Sequence, residues 1–278
     1  MINSPLIKYS GSKRSQSEAI VNIMPKEIDT YYEPFCGGCS VFYRLINSDV
    51  KVKKYIISDI NKDVIELLNV VKNDSKRELI KNYEDNWNKI SSYKDIKERQ
   101  EFYNSVRHRF NKSHNPYDFM FLTRTAFNGL IRYNSKGDFN ASYHLTRLGM
   151  QPEKLEKIIN DWHDIIKFND VEFRYCEYND IIPDNENDFM YLDPPYANSP
   201  GLYFGYIDYN KLFEYLKNIK CKYALSFDGY SGKSNNTFDV PKEIYEKHIY
   251  IESGTSSFKK ITGISNKDVV KDSLYLNF

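Results

Sequence analysis

The sequence predicts an α/β fold in which strands and helices alternate along the chain and a helical insert interrupts them. Six short runs are rich in the β-branched and aromatic residues that strands prefer. Helical patterns follow the first two runs, at Ser40 to Leu45 and at Lys62 to Val71, whose apolar residues share one face. This alternation is typical of a βαβ sheet. The predicted strands are Thr30 to Glu33, Lys54 to Asp59, Val171 to Tyr175, Phe189 to Asp193, Tyr223 to Phe227 and His248 to Ile251.

A long helical stretch separates the second predicted strand from the third. Residues 74–167 carry mostly helical patterns, with Pro116 and Pro152 in positions that open helices. Within this stretch, residues 131–141 are predicted to form a hairpin that turns around Lys136-Gly137. The predicted division is a sheet domain of residues 1–73 and 168–278 and a helical insert of residues 74–167.

The composition favours a globular protein of the cytoplasm. The chain has 278 residues, 41% hydrophobic and 28% charged, a balance that argues against disorder. Its first residues lack the basic start and apolar stretch of a secretory signal, and no apolar run approaches the length of a membrane span. Four cysteines are too few to stabilise a chain of this length by disulfide bonds, so we expect reduced thiols, a cytoplasmic location and no membrane partner.

Charge is distributed unevenly although the formal net charge is only +1. Residues 101–150 contain seven lysines and arginines against three acidic residues, whereas residues 177–193 contain six acidic residues and no lysine or arginine. A basic middle region suits contact with phosphates. Charge alone supports equally well the alternative that these residues form solvated helix faces.

A glycine turn follows the first predicted strand and precedes a helix. Gly37 and Gly38 would let the backbone approach a ligand closely and adopt positive φ. Asp59 ends the next strand about 20 residues later, where an acidic side chain of a nucleotide-binding βαβ unit binds ribose hydroxyls. The glycine spacing matches neither the dinucleotide motif G-x-G-x-x-G nor a Walker loop, and an ordinary tight turn is the alternative interpretation.

Two cysteines of this turn, Cys36 and Cys39, have the C-x-x-C spacing of some zinc and redox sites. Cys176 and Cys221 lie far away in the sequence and form no second C-x-x-C pair. We therefore interpret these cysteines as structural thiols and expect no metal site.

The segment Asp188 to Tyr196 is the most specific in the chain, because an apolar strand ends abruptly in Asp193-Pro194-Pro195-Tyr196. Neither proline has an N–H, so the loop offers mainly acceptors, the Asp193 carboxylate and the neighbouring carbonyls. An exocyclic amino group carries two donors and would fit there, with Tyr196 stacked on the base. Accepting both N–H bonds would direct the nitrogen lone pair at an electrophile. The alternative is a strand-ending turn with a buried tyrosine.

Four segments, in the same order, resemble the Dam-type (D12 class) site-specific DNA adenine-N6 methyltransferases. Asp193 to Tyr196 is similar to the DPPY signature of amino methyltransferases in general. The other three resemble the K-W-A-G-G-K stretch, the E-P-F-x-G-G cofactor loop and the segment leading into the DNA-reading hairpin of this family. They are Lys8 to Lys13, Glu33 to Gly38 and Arg124 to Asn134.

The resemblance implies a Rossmann-like methyltransferase sheet of seven mostly parallel strands, one of them antiparallel, with a helical target-recognition insert. It also implies methyl transfer from S-adenosylmethionine to N6 of a flipped-out adenine in duplex DNA. Asp193, Pro194, Pro195 and Tyr196 would form the catalytic loop. The expected cofactor contacts are Tyr9, Lys13, Glu33, Phe35, Gly37, Asp59 and Asp193, and the expected DNA contacts are Arg124, Asn128, Arg132 and Lys136, with Arg147 a further candidate for phosphate contact.

The chain also departs from the family pattern. Where the family usually continues V-P-Y-G-R-Y-K after the hairpin, this chain has Ala141 to Arg147, so GATC specificity is not implied. Tyr9 replaces a tryptophan and Ser12 a glycine.

Alternative hypotheses are methylation of RNA adenine or of a protein glutamine amide, and a DNA-binding protein without catalysis. The target sequence, the oligomeric state, the role of residues 254–260 and the context (restriction–modification, solitary or phage-encoded) stay open; a cognate restriction endonuclease is a candidate partner that the activity does not require.

Overall fold

The strands of the computed structural model form one sheet in the part of the chain that it describes, residues 5–73, 75–183, 185–195, 207–231, 234–255 and 269–278. The order of the strands across the sheet is β3-β2-β1-β4-β5-β8-β7, and the two-residue strand β6 pairs with β5. The strands are β1 Glu27–Glu33, β2 Lys51–Asp59, β3 Val171–Tyr175, β4 Phe189–Leu192, β5 Lys222–Ser231, β6 Ser234–Asn235, β7 Lys247–Thr255 and β8 Val269–Leu276.

Strand direction confirms the predicted mostly parallel sheet. Strands β1 to β5 pair in parallel, and β8 lies antiparallel between β5 and β7. Strand β1 pairs with β2 on one side and with β4 on the other, so the chain winds in opposite directions from this point. A crevice opens outside the carboxyl ends of parallel strands where their order reverses in this way.

All six predicted strands are confirmed, most of them with longer bounds. The last strand, β8, was not predicted, because Lys271 and Asp272 interrupt its apolar pattern. It is nevertheless central to the second half of the sheet, where Leu274 pairs with Ser226 of β5 and with Ile249 of β7.

Helices flank the sheet and make up most of the stretch between β2 and β3. Pro116 and Pro152 open their helices as predicted, and Asn61 caps a third by accepting a hydrogen bond from the Asp63 N–H. None of the helices within the described ranges is long and apolar enough to cross a membrane. The helices are α1 Ser17–Asn22, α2 Ser40–Ile46, α3 Lys62–Lys72, α4 Lys76–Ser92, α5 Ile96–Ser113, α6 Pro116–Thr125, α7 Pro152–Lys167 and α8 Tyr209–Lys217.

The helices of the predicted insert share their hydrophobic core with the sheet. In α7, the ring of Trp162 stacks on Tyr43 of α2, with 4.7 Å between ring centroids. Between α6 and α7 the chain is mostly irregular: Tyr133 and Phe139 form an isolated antiparallel bridge, and Gly137 has a φ of +84° at the turn. The division into sheet domain and insert stays a prediction.

The side chain of Asp63, in α3, connects this helix to the predicted hairpin of residues 131–141. Asp63 contacts the Nδ1 atom of His114 at 2.9 Å and accepts a hydrogen bond from the Tyr133 hydroxyl. His114 ends α5 in the left-handed conformation, and Tyr133 lies in the hairpin. Because Asp63 lies only four residues after Asp59, the hairpin is anchored next to the end of β2.

Candidate active site

A cavity that is partly open to solvent lies at the carboxyl ends of β1, β2, β3 and β4. Crevices at this place in α/β sheets commonly bind small-molecule ligands. All seven residues that the sequence indicated as cofactor contacts line it, together with Pro195 of the predicted catalytic loop. Further lining residues include Ser10, Gly11, Ser12, Pro34, Cys36, Gly38, Ser40, Val41, Ile60, Cys176, Glu177, Tyr178, Tyr191 and Ile207.

The glycine turn between β1 and α2 packs tightly against Tyr9. Gly37 has a φ of +45°, and a Cβ atom added to it would lie 3.0 Å from Cε1 of the tyrosine. A Cβ atom on Gly38 would lie 2.9 Å from Cβ of Tyr9. The two glycines are thus required by the close approach of the backbone to this ring, as well as by the turn itself.

Asp59, the last residue of β2, is held in place through both carboxylate oxygens. One accepts a hydrogen bond from the Gly37 N–H and the other from the Asn61 N–H, each at 2.8 Å. Burial raises the pKa of Asp59 to about 6, although these hydrogen bonds favour the charged form. The carboxylate therefore links the glycine turn to the end of the second strand.

Glu33, the last residue of β1, is 2% exposed. The Tyr31 hydroxyl donates a hydrogen bond to its Oε2 atom at 2.7 Å. Burial raises the pKa of Glu33 to about 8, and the negative charge of Asp193 contributes to the increase. Burial and the neighbouring charge thus favour the protonated form of this carboxyl group.

Aromatic rings form another wall of the cavity. The ring of Phe35 stacks on Tyr178, with centroids 5.5 Å apart and planes 28° apart. Sequence reasoning did not identify Tyr178. The available signal was its position three residues after β3, since the carboxyl ends of parallel strands meet at one edge of the sheet.

The loop after β4 brings Asp193, the predicted catalytic aspartate, to the same cavity. The Lys13 Nζ atom lies 2.8 Å from the Asp193 Oδ1 atom, and the two side chains are 6% and 18% exposed. Pro194 is buried, and the Pro195 carbonyl accepts a hydrogen bond of 2.6 Å from the Tyr209 hydroxyl of α8. Tyr196 lies outside the described residues, as do residues 256–260 of the late loop.

Sequence reasoning also missed the polar side chains behind Lys13. The Lys13 Nζ atom is 3.9 Å from the Asp272 Oδ2 atom of β8, and Gln16 donates a hydrogen bond of 2.8 Å to that same oxygen. Asp228 of β5 lies directly opposite Asp272 in the sheet. Three carboxylates thus lie around one buried ammonium group.

The cysteines of the glycine turn are free thiols buried in the core. Burial raises the pKa of both Cys36 and Cys39, which disfavours the thiolate that metal binding and redox chemistry require. The interpretation of these residues as structural thiols stays a prediction.

Of the four predicted DNA contacts, Arg124 lies in the last turn of α6 and the other three lie on the segment after it; none of them lines the cavity. The guanidinium of Arg124 donates hydrogen bonds to the carbonyls of Pro5 and Leu6. Asn128 is exposed in the left-handed conformation, Lys136 is exposed, and the exposed Arg132 donates a hydrogen bond of 2.7 Å to Asn140. Their contact with DNA stays a prediction.

Arg124 also lines a second, basic cavity. Its other basic side chains are Lys8, His144, Arg147 and Lys154. Burial lowers the pKa of Lys8, and the positive charges of Arg147 and Arg124 lower it further. Such a concentration of positive charge suits an anion.

Comparison with known proteins gives consistent results. The model of the D12 class N6 adenine-specific DNA methyltransferase family matches residues 9–259. The type II methyltransferase M.MjaIII of Methanocaldococcus jannaschii is 30% identical over 99% of each chain. The DNA adenine methylase of Haemophilus influenzae is 31% identical over 69% of this chain and 64% of its own length. The type II methyltransferase M.FokI of Planomicrobium okeanokoites is 31% identical over 77% of this chain, which spans only 32% of that protein.

The family model covers most of the chain, and the archaeal relative matches it from end to end. The cavity at the carboxyl ends of the strands also brings together residues from three of the four segments that carry the sequence resemblance: the segment of Tyr9 to Lys13, the glycine turn and the Asp193 loop. The chain belongs to the D12 class N6 adenine-specific DNA methyltransferase family.

Proposed function

We propose that this protein transfers a methyl group from S-adenosylmethionine to N6 of adenine in duplex DNA. The observation that carries the proposal is the meeting, in one cavity, of the glycine turn with Asp59 and of the Asp193 loop. The glycine turn with Asp59 suits a nucleoside, and the Asp193 loop suits an amino group. Methyl transfer requires that donor and acceptor meet in this way.

The residues that line the cavity fit S-adenosylmethionine in their chemistry. The Asp59 carboxylate would bind the ribose hydroxyls, and the rings of Tyr9, Phe35 and Tyr178 would pack around the adenine or the sulfonium. When bound, S-adenosylmethionine supplies a methyl group made electrophilic by the positively charged sulfur.

The Asp193 loop would activate the acceptor nitrogen. An aromatic amino group is a poor nucleophile because its lone pair is delocalised into the ring. The Asp193 carboxylate and the Pro194 carbonyl would each accept one of its N–H bonds, which directs the lone pair at the methyl group. Lys13 holds one oxygen of this carboxylate at 2.8 Å, so the acceptor is oriented before the base arrives. The carbon–nitrogen bond would form as the carbon–sulfur bond breaks, S-adenosylhomocysteine would leave, and the methylated nitrogen would release one proton to solvent, with no covalent intermediate on the protein.

The acceptor base must leave the DNA stack to reach this loop, at a cost of a few kcal/mol. Contacts between basic side chains and phosphates would offset that cost. We assign this role to the basic cavity beside Arg124 and Arg147, and base reading to Asn128 and Arg132 on the exposed hairpin segment. Because the substrate is chromosomal or phage DNA, we place the protein in the cytoplasm, with a cognate restriction endonuclease as a candidate partner.

The test is methylome sequencing of DNA from a methylation-free bacterial host that expresses the chain. We expect one sequence motif to carry N6-methyladenine, and this modification to disappear in the Asp193→Ala variant. The matched control is Asp49→Ala, since Asp49 is 81% exposed and lies at the opposite end of β2 from the cavity.

Modification in the wild-type and Asp49→Ala hosts but not in the Asp193→Ala host would support the proposal. Unmodified DNA from cells that contain folded, S-adenosylmethionine-binding protein would contradict it and would direct attention to RNA or protein acceptors. Near-normal activity of Asp193→Ala would show that the catalytic assignment is wrong.

A further inference from the structure

The ammonium group of Lys13 lies between two carboxylates from distant parts of the sheet. Its Nζ atom is 2.8 Å from Oδ1 of Asp193, which follows β4, and 3.9 Å from Oδ2 of Asp272, which lies in β8. The lysine is 6% exposed. A flexible side chain that is held by both charges has far fewer orientations available than one held by a single charge.

Asp272 is itself oriented by Gln16. The Gln16 Nε2 atom donates a hydrogen bond of 2.8 Å to Oδ2 of Asp272, the oxygen that also faces Lys13. Gln16 is 6% exposed, and its own side-chain carbonyl accepts a hydrogen bond of 2.8 Å from Ser15. The segment before α1 and strand β8 therefore meet in one hydrogen-bonded arrangement behind the Asp193 loop.

Within this arrangement, the pairing of Asp228 with Asp272 is electrostatically unfavourable, and Lys13 offsets it in part. Asp228 and Asp272 lie opposite each other on antiparallel strands, where like charges are destabilising. Burial raises the pKa of Asp228 to about 6, and the nearby Asp272 adds to the effect. Gly229 permits the bulge beside them, because a Cβ atom there would lie 2.3 Å from the Lys271 carbonyl oxygen. Stability is thus a poor explanation for a carboxylate at position 272.

We propose that Asp272 is a positioning residue, which holds the Lys13 ammonium against Asp193 and so orients the carboxylate that accepts the amino group of the substrate base. This inference rests on the proposed methyl transfer. Asp272 itself is not among the residues that line the cavity, so it acts through Lys13 and not by contact with a ligand.

The predicted signature is a loss in turnover without a loss in cofactor binding. In Asp272→Asn the side chain keeps its shape and still accepts the hydrogen bond from Gln16, but the negative charge is gone. We expect kcat for methyl transfer to fall roughly tenfold, because a misplaced catalytic group costs one to two orders of magnitude in rate. The Kd for S-adenosylmethionine should change less than about threefold, the variation expected where no contact is lost.

A double-mutant cycle with Lys13→Met tests whether Asp272 acts through the lysine. The assay follows transfer of labelled methyl groups from S-adenosylmethionine to unmethylated genomic DNA, so that the target sequence need not be known. Once Lys13 is absent, Asp272→Asn should have no further effect on kcat. Gln16→Ala, which removes the donor to Asp272, should lower kcat in the same direction and by a smaller factor.

The matched control is Asp29→Asn, which removes a lysine–aspartate pair from the far end of the sheet. Asp29 of β1 lies 2.5 Å from the Nζ atom of Lys53, whose side chain is 80% exposed. We expect wild-type kcat in this variant, and a melting temperature of Asp272→Asn no lower than that of the wild type.

Equal kcat in Asp272→Asn and the wild type would overturn the inference while the proposed function stood. Equal loss from Asp272→Asn with and without Lys13 would overturn it as well. If Lys13→Met does not fold, Lys13→Gln replaces it in the cycle, and wild-type kcat in Gln16→Ala would also overturn the inference. Wild-type protein that transfers no methyl group to DNA would overturn the proposed function, and the inference with it.

Discussion

Replacement of Glu33 by glutamine is expected to make the protein more stable at mildly alkaline pH. Glu33 is 2% exposed and accepts a hydrogen bond from the Tyr31 hydroxyl at 2.7 Å. Glutamine has the same shape, and its carbonyl oxygen can accept the same hydrogen bond. The substitution therefore removes the ionisation of this side chain and little else.

The size of the effect follows from the pKa of the buried carboxyl group. Burial raises this pKa from 4.5 to about 8. Below pH 4.5 the group is protonated in the folded and unfolded states alike, so it leaves stability unchanged. Between 4.5 and about 8 the unfolded state loses a proton that the folded state keeps, so the free energy of unfolding falls as the pH rises. The slope is about 1.4 kcal/mol per pH unit in the middle of this interval and smaller near its two ends, so the loss between pH 5 and pH 8 is about 3.5 kcal/mol.

Urea unfolding of the ligand-free protein at several pH values between 5 and 8.5 measures this difference. Other buried carboxyls, Asp59 and Asp228 among them, also titrate in this interval, so the informative quantity is the difference between variant and wild type. We expect Glu33→Gln and the wild type to have similar stability near pH 5 and to diverge steadily above it. A difference that does not change with pH would refute the assignment of a raised pKa to Glu33.

Three further predictions concern the cofactor turn and the hairpin. Gly37→Ala should lower the affinity for S-adenosylmethionine more than tenfold and reduce stability by about 1–2 kcal/mol, because of the positive φ and the contact with Tyr9. Calorimetric titration and urea unfolding check it, and unchanged affinity would contradict it. Asp63→Asn should weaken DNA binding severalfold in a fluorescence assay and leave the affinity for S-adenosylmethionine unchanged, because it weakens the contacts of this side chain with His114 and Tyr133. Equal loss of DNA affinity and cofactor affinity would count against this role of Asp63. Arg132→Ala should relax the methylated motif at one position, with about 1–3 kcal/mol less discrimination, as read by methylome sequencing; an unchanged motif would rule out base reading by this arginine.

Local patterns in the sequence were sufficient to predict the main elements of the fold. The apolar spacing of residues 62–71 matches the buried face of α3, and the acid that ends the apolar run at 189–192 identified the Asp193 loop. These features depend on neighbouring residues only. For the same reason the glycine turn and Asp59 were predicted together, since each directly follows or ends a strand.

The sequence analysis did not predict features that depend on contacts between residues far apart in the sequence. Strand β8 carries Lys271 and Asp272 in its middle and is stabilised by partners on both sides. Its contact with Gln16 joins residues 256 positions apart. The hydrogen bonds from Arg124 to the carbonyls of Pro5 and Leu6 likewise join distant segments, and no local pattern indicates them.

The sequence alone specified the alternating strands and helices, the two loops that meet in the cavity, and the family, because periodicity and short motifs record which residues face the core and which chemistry follows each strand. The tertiary structure decided the strand order, the raised pKa of Glu33 and the placement of Lys13 between Asp193 and Asp272. The physical reason is that burial and the field of neighbouring charges arise only when distant segments pack together.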